Sequence, residues 1–115
     1  MTESPSAAHV SRVADRLIRI EIELRRLGVW ETERPPEEAL QSDQPFGIDR
    51  LAFTQWLQFV FLSRMKRLIE EGHRLPAVSG MAPMAEEHFR ARAASGEKLI
   101  NELAEMDRLL SAGHR

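Results

Sequence analysis

Four histidines, His9, His73, His88 and His114, are the side chains of this sequence best suited to proton transfer or metal ligation near neutral pH. Glu70 and His73 stand at the E-x-x-H spacing of di-metal helical bundles, a spacing that needs both residues on one continuous helix. Gly72 lies between them, and there is no second E-x-x-H. Glu86, Glu87 and His88 are consecutive, so on a helix they fan apart instead of converging. The chain has no cysteine, which excludes thiolate metal sites and disulfides and fits a reducing compartment. Hydrolytic or acyl-transfer chemistry needs a nucleophile, a base and a group that orients the base. Nothing in the spacing fixes a serine beside a histidine. No G-x-S-x-G, glycine-rich phosphate loop or dinucleotide fingerprint occurs. The expectation is a protein with no catalytic, metal or cofactor site.

Cations are the next candidates. Arg12, Arg16, Arg19 and Arg26 share one side of a first helix, and Arg64, Lys66, Arg67 and Arg74 form a second group. Such clusters can contact phosphates, so Arg12, Arg16 and Arg19 are candidates for weak RNA contact. The competing reading is a solvated, self-paired face. Asp15 precedes Arg19 and Glu21 precedes Arg25 in the supportive i,i+4 order, and Lys66–Glu70 and Arg67–Glu71 are spaced to pair. The formal net charge is −2, so no global field draws the protein to nucleic acid. Arg64 differs from the other cations, because its helical neighbours Val60, Phe61 and Leu68 are apolar. A buried arginine needs a carboxylate or several carbonyls. Asp49, just before that helix, is the expected partner, in a tie that pins the loop around Phe46.

The elements that must position these residues are helices. The chain has 115 residues, which suits one domain; Leu, Ala, Glu and Arg dominate it. Val10, Val13, Leu17, Ile20, Leu24 and Leu27 recur in steps of three and four, predicting a helix over about 6–27 that stops at Gly28. Pro35 and Pro36 open a short helix through Gln41, and 42–49 reads as an extended loop. A second long helix spans about 52–71. Pro83 opens a third, through about Arg92, and Ser95 caps a last one over 96–111, with its stripe at Leu99, Leu103, Met106 and Leu110. The fold class is all-α, a small bundle of four main helices plus one short helix, with 1–5 and 112–115 as mobile ends. Segment 31–49 carries six acids and one base and reads as a solvated connector. There is no basic-then-apolar leader and no apolar run near the roughly 20 residues of a membrane span, so a soluble cytoplasmic protein is expected.

Within the second helix the run FTQWLQFVFLSRM is apolar on every side. A helix of that kind belongs among several neighbours, so Trp56 is expected to be buried in a central rod.

The segments QPFGIDRLAFTQWLQFVFLSRMKRLIEEGHRLP and MAPMAEEHF resemble the YqcC-like family, a bacterial domain of unknown function. The resemblance runs from about Ala7 to Leu110. Its marks are Pro45-Phe46, Ile48-Asp49, Trp56-Leu57-Gln58, Arg64-Met65, Leu75-Pro76, and Ala82-Pro83 with Glu86-Glu87. The sequence departs from the family pattern at Phe53-Thr54, where Pro and Glu are usual, and at Met84, where an aromatic is. The resemblance implies an all-helical fold, no catalytic residues, and a gene that often neighbours that of tRNA pseudouridine synthase C.

Two functions follow as expectations. The first is a non-catalytic adaptor that acts by protein–protein contact, with that synthase as candidate partner, indirect tRNA contact, and self-association left open. Trp30, Met81 and Phe89 fit neither heptad stripe and stand as surplus apolar surface for such a contact. The second is a bundle that binds a small apolar or anionic ligand near Trp56 and Arg64. Phe46, Asp49, Trp56 and Arg64 are the candidate interaction or structural-tie residues under either.

Overall fold

The computed structural model describes residues 6–90, 92 and 96–112. Helix α1 is Ala7–Arg26 and α2 is Glu37–Leu40. A single 3-10 turn, Pro45–Gly47, leads into α3, which spans 53–70. Helix α4 is Met81–Phe89 and α5 is Glu97–Ala112. No strand occurs among the described residues, so the architecture is the expected all-α bundle of four main helices and one short one. Residues 1–5 and 113–115, and the cap expected at Ser95, lie outside the described residues.

The heptad stripes make the core. Val13, Leu17, Ile20 and Leu24 of α1 are buried, as are Leu99, Leu103, Met106 and Leu110 of α5. Helix α5 packs along α1 on one side and α4 on the other. Arg16 of α1 bonds Glu102 of α5 at 2.8 Å beside this seam. Helix α1 starts at Ser6, whose hydroxyl accepts the His9 N–H. It ends at Gly28, whose φ of +75° is the left-handed conformation that glycine adopts without strain.

The centre of α3 differs from expectation. Trp56–Leu62 is π-helical between α-helical Phe53–Gln55 and Ser63–Glu70. A π-turn closes its hydrogen bonds one residue later than an α-turn, so the residues needed to keep one face inward are spaced more widely. The buried positions are the pairs 53/54, 57/58 and 61/62, followed by Met65. Steps of four drift around an ideal α-helix of 3.6 residues per turn but stay on one face here. The all-round apolar run therefore does not mark a central rod. Trp56, Phe59 and Val60 are only partly buried, and Arg64 is exposed. The inner layer is α5 with α1 and α4, and α3 lies against it.

Two further boundaries shift. The 42–49 loop is not simply extended, because it holds the Pro45–Gly47 turn. Helix α4 starts two residues before Pro83, at Met81, after Gly80 at φ +86°. Its cap comes from another helix: the Asp107 carboxylate of α5 accepts the Met81 and Ala82 N–H groups at 3.1 and 3.0 Å. Pro83 falls in the first turn, where a missing N–H costs nothing. Met81 and Phe89 are buried, and Trp30 is half-buried beneath the Arg25 guanidinium, 4.3 Å from its ring centre. These three are not the surplus surface they were expected to be. Among the described residues, the large apolar side chains that remain exposed are Ile18, Ile22 and Ile48.

Candidate interaction site

Phe46 sits at φ +58°, ψ +18°. That left-handed backbone is uncommon for any non-glycine residue and a marked outlier for a bulky one. The turn that imposes it is tightly bonded: Gly47 N–H donates to Gln44 O, and Arg50 and Leu51 N–H both donate to Gly47 O. The turn drives the Phe46 ring onto α3, 4.9 Å from the Trp56 ring and 6.1 Å from Phe53, edge-on to both. Trp56 stacks in turn on Phe53 and Phe61. Each such ring pair contributes about 0.5–1.5 kcal/mol beyond area burial, enough together to hold the strained turn.

This aromatic ridge separates two hollows. On one side, Phe46, Ile48, Leu51, Ala52, Phe53, Met84, His88 and the carboxylate-bearing Glu87, itself paired with Arg90, line a largely apolar groove of about 240 Å³ between the turn and α4. Ile48 stands on its edge, 61% exposed. Burial, and after it the charge of Arg92, lower the His88 pKa from its ordinary 6.5, so the imidazole facing the groove is neutral at pH 7. On the other side, Phe46, Trp56, Val60, Ser42, Gln44 and Arg64 line a more polar cleft of about 250 Å³.

The structure thus brings Phe46, Trp56 and Arg64 to one cleft but does not tie Asp49 to Arg64. Asp49 accepts from the Ser42 hydroxyl and lies 3.5 Å from the Arg50 guanidinium, and both contacts lower its pKa, the Ser42 bond most. Arg64 has no carboxylate within ion-pair distance among the described residues. The expected tie fails because Arg64 is exposed, so water solvates its charge and no desolvation penalty demands a partner.

The link that does fasten loop to helix is one the charge pattern hid. Gln58, buried on the inner face of α3, donates to Glu31 O at 2.7 Å and accepts from Glu31 N–H at 2.9 Å. Its neighbour Gln55 accepts from Ala52 N–H and donates to the Glu31 carboxylate. The signal was present: an amide in the middle of an apolar run, at a position whose burial demands partners.

The basic stripe divides. Arg16 is held by Glu102, whereas Arg12 and Arg19 are exposed and carry no ion pair among the described residues. Glu21 pairs with Arg25, as the i,i+4 order predicts, and also with Lys66 of α3 at 3.2 Å. Lys66 therefore does not pair with Glu70, nor Arg67 with Glu71, which meets His73 instead. Burial tends to raise the Glu21 pKa, but the bonds from Arg25 and Lys66 outweigh it and lower it from 4.5. Glu70 and His73 do not share a helix, since α3 ends at Glu70. No three His, Asp or Glu side chains converge as metal ligands among the described residues. No helix among them is long and apolar enough to cross a membrane.

The family model described as DUF446, tRNA pseudouridine synthase C, matches residues 12–109. An uncharacterised protein of Haemophilus influenzae is 36% identical over 80 residues, covering 70% of this chain and 76% of that protein. The uncharacterised protein YqcC of Escherichia coli K12 is 29% identical over 100 residues, covering 87% and 92%. A Pectobacterium carotovorum protein named tRNA pseudouridine synthase C is 39% identical over 66 residues, which make up 57% of this chain but only 18% of that protein. The solution NMR structure of E. coli YqcC superimposes with a TM-score of 0.75 at 28% identity, covering 90% of this chain and 88% of the other.

Proposed function

From the premise that the chain belongs to the DUF446 family, we propose that it is a non-catalytic accessory protein of the cytoplasm that acts by contact with a tRNA pseudouridine synthase C. One observation carries this reading. The Pectobacterium chain bearing that enzyme's name contains a segment like this one as less than a fifth of its length, so such a segment and a much longer remainder share one polypeptide. Two units joined in one chain gain a high effective concentration for each other, and a separate copy of the smaller unit supplies the same contact between chains. Ile48, exposed at the edge of the groove, supports the reading, since an apolar side chain left in water beside a hollow is what a partner covers. Any help given to tRNA falls to Arg12 and Arg19, as salt-sensitive phosphate contacts that do not read bases, because Arg16 is engaged by Glu102.

The experiment is to delete the gene and measure pseudouridine at the synthase's target position in tRNA, alongside co-purification of the synthase with the tagged protein. Reduced modification and co-purification are expected. Normal modification with no co-purification removes this partner.

A second reading is favoured by Arg64. Its guanidinium borders the Phe46–Trp56 cleft with no carboxylate beside it, an arrangement suited to a small anion with a flat apolar body. Trp56 fluorescence that responds to small carboxylates in the native protein, and not after Arg64→Gln, supports it.

A further inference from the structure

We infer that the cleft beside Phe46 and Trp56 is a binding site for a small monocarboxylate with an apolar body, held by Arg64 and Gln44. This inference rests on the second reading above and names the class of its ligand.

The backbone marks the place. Phe46 is the one non-glycine residue at positive φ among the described residues, and Trp56–Leu62 is π-helical. Phe46 and two residues of that run, Trp56 and Val60, line the same cleft. Strained residues collect at ligand clamps, and π-turns inside helices collect at functional sites. The widened helix has a second consequence. The period that keeps Phe53, Leu57, Phe61 and Met65 inward also keeps Trp56, Val60 and Arg64, again four apart, in one row along the cleft. The row runs from an aromatic ring through a branched aliphatic side chain to a guanidinium. A ligand lying along it meets apolar surface at one end and a cation at the other.

Charge and hydrogen bonding select the ligand. Among the described residues that line the cleft, Arg64 alone carries a charge, and it is exposed with no carboxylate at ion-pair distance. Its complement is an anion. Ser42 is already committed, because its hydroxyl donates to Asp49 and accepts from the Gln44 N–H. Asp49, which takes that bond, has its charge met by Arg50. The Gln44 side-chain amide makes no hydrogen bond among the described residues and is the remaining donor. One guanidinium and one amide match the two oxygens of a carboxylate, whose plane fits the guanidinium fork. A phosphate group brings three oxygens and about two charges to a single cation, so part of its hydration goes unreplaced. Leu40, Phe46, Leu51, Trp56 and Val60 give the body of the ligand apolar walls. The cleft, about 250 Å³, lies below the roughly 300–1,000 Å³ of sites for drug-sized molecules, so that body is an aromatic ring or a short branched chain.

The test is a titration of the full-length protein, followed by the NMR signal of the Trp56 indole N–H, which Trp30→Phe distinguishes from that of Trp30. The probes are benzoate, its neutral isostere benzamide, phenyl phosphate, and acetate, which lacks the apolar body. Benzoate is expected to shift the signal saturably with a Kd on the order of 1 mM, and acetate and benzamide to bind at least about tenfold more weakly. Phenyl phosphate is expected to bind no tighter than benzoate. Arg64→Gln is expected to weaken benzoate binding about tenfold and Gln44→Ala about threefold. Both residues are exposed, and the melting temperature of each variant confirms its fold. Phenyl phosphate binding several-fold tighter than benzoate overturns the carboxylate assignment and leaves the second reading standing. Benzoate binding that Gln44→Ala does not alter, or that acetate or benzamide matches, also overturns the inference. No saturable shift with benzoate or phenyl phosphate up to about 20 mM, or benzoate binding unchanged by Arg64→Gln, overturns the inference and the second reading together.

Discussion

Gln58 holds the backbone of Glu31 at both polar atoms, donating to its carbonyl at 2.7 Å and accepting from its N–H at 2.9 Å. One buried side-chain amide thus stands in for a strand partner and fixes the chain where it leaves α1. Replacing Gln58 by Leu removes both bonds and strands the Glu31 groups in a partly buried place. The expected cost is about 1–3 kcal/mol, read as a drop in denaturant midpoint at unchanged slope. Gln58→Glu is expected to destabilise as well, because it sets a carboxylate oxygen against the Glu31 carbonyl. Equal stability of the Leu variant and the wild type contradicts the clamp.

Phe46 gives a prediction whose sign separates backbone strain from ring contact. Phe46→Ala loses the contacts with Trp56 and Phe53 and keeps the left-handed φ. Phe46→Gly loses the same contacts and relieves the conformation, which costs a non-glycine residue about 1–2 kcal/mol. Glycine's larger unfolded-state entropy takes back up to about 1 kcal/mol. The glycine variant is therefore expected to be no less stable than the alanine variant, opposite to the order within a helix. An alanine variant clearly above the glycine one in melting temperature contradicts the strained turn.

Much of this architecture was legible in the sequence. The heptad stripes of α1 and α5 need only local periodicity, and Gly28 and Gly72 mark the ends of α1 and α3 by conformation alone. What could not be read were features set by residues distant in sequence. The head of α4 is capped by Asp107, 26 residues beyond Met81, so Pro83 alone pointed to a start two residues late. The π-turn in α3 keeps its hydrogen bonds within the helix, yet its apolar signature reads as all-round burial unless the period is allowed to exceed 3.6. Of the site, Phe46, Trp56 and Arg64 were picked out and do share a cleft, whereas Asp49 turned to Ser42 and Arg50. The sequence places Asp49 nearer to both of these than to Arg64, and local partners are reached first. Ile48 entered only as a mark of the family resemblance, and its exposure was not foreseen, because an isolated exposed apolar residue carries no periodic signal.

A double-mutant cycle on Asp49 and Arg64 should give coupling near zero, since the two do not meet and Asp49 is bonded to Ser42. A cycle on Arg16 and Glu102, which meet at 2.8 Å while partly shielded, should give a measurable coupling of about 0.5–1 kcal/mol. The reverse ranking of the two pairs contradicts the placement of α3 against the loop.

Acid should act in two windows. The folded protein holds His88 below its ordinary 6.5, by burial and then by Arg92, while the unfolded chain protonates it near that value. Its contribution is thus fully present above pH 6.5 and is lost as pH falls toward the lower folded value. Glu21 is lowered from 4.5 by bonds from Arg25 and Lys66 that overcome burial. Its contribution is present above 4.5 and disappears only as pH falls through the folded value beneath it. Melting temperatures of the wild type and His88→Asn between pH 7 and 5 check the first window. The wild type should lose more over that range, and parallel curves contradict the partly buried neutral imidazole.

The most direct measurement is the equilibrium binding of the purified full-length protein to tRNA pseudouridine synthase C from the same organism, without RNA present. The account predicts a saturable complex with a Kd below about 100 μM. No complex at protein concentrations up to about 100 μM, a weak binding regime, together with unchanged tRNA pseudouridine in cells lacking the gene, would contradict it.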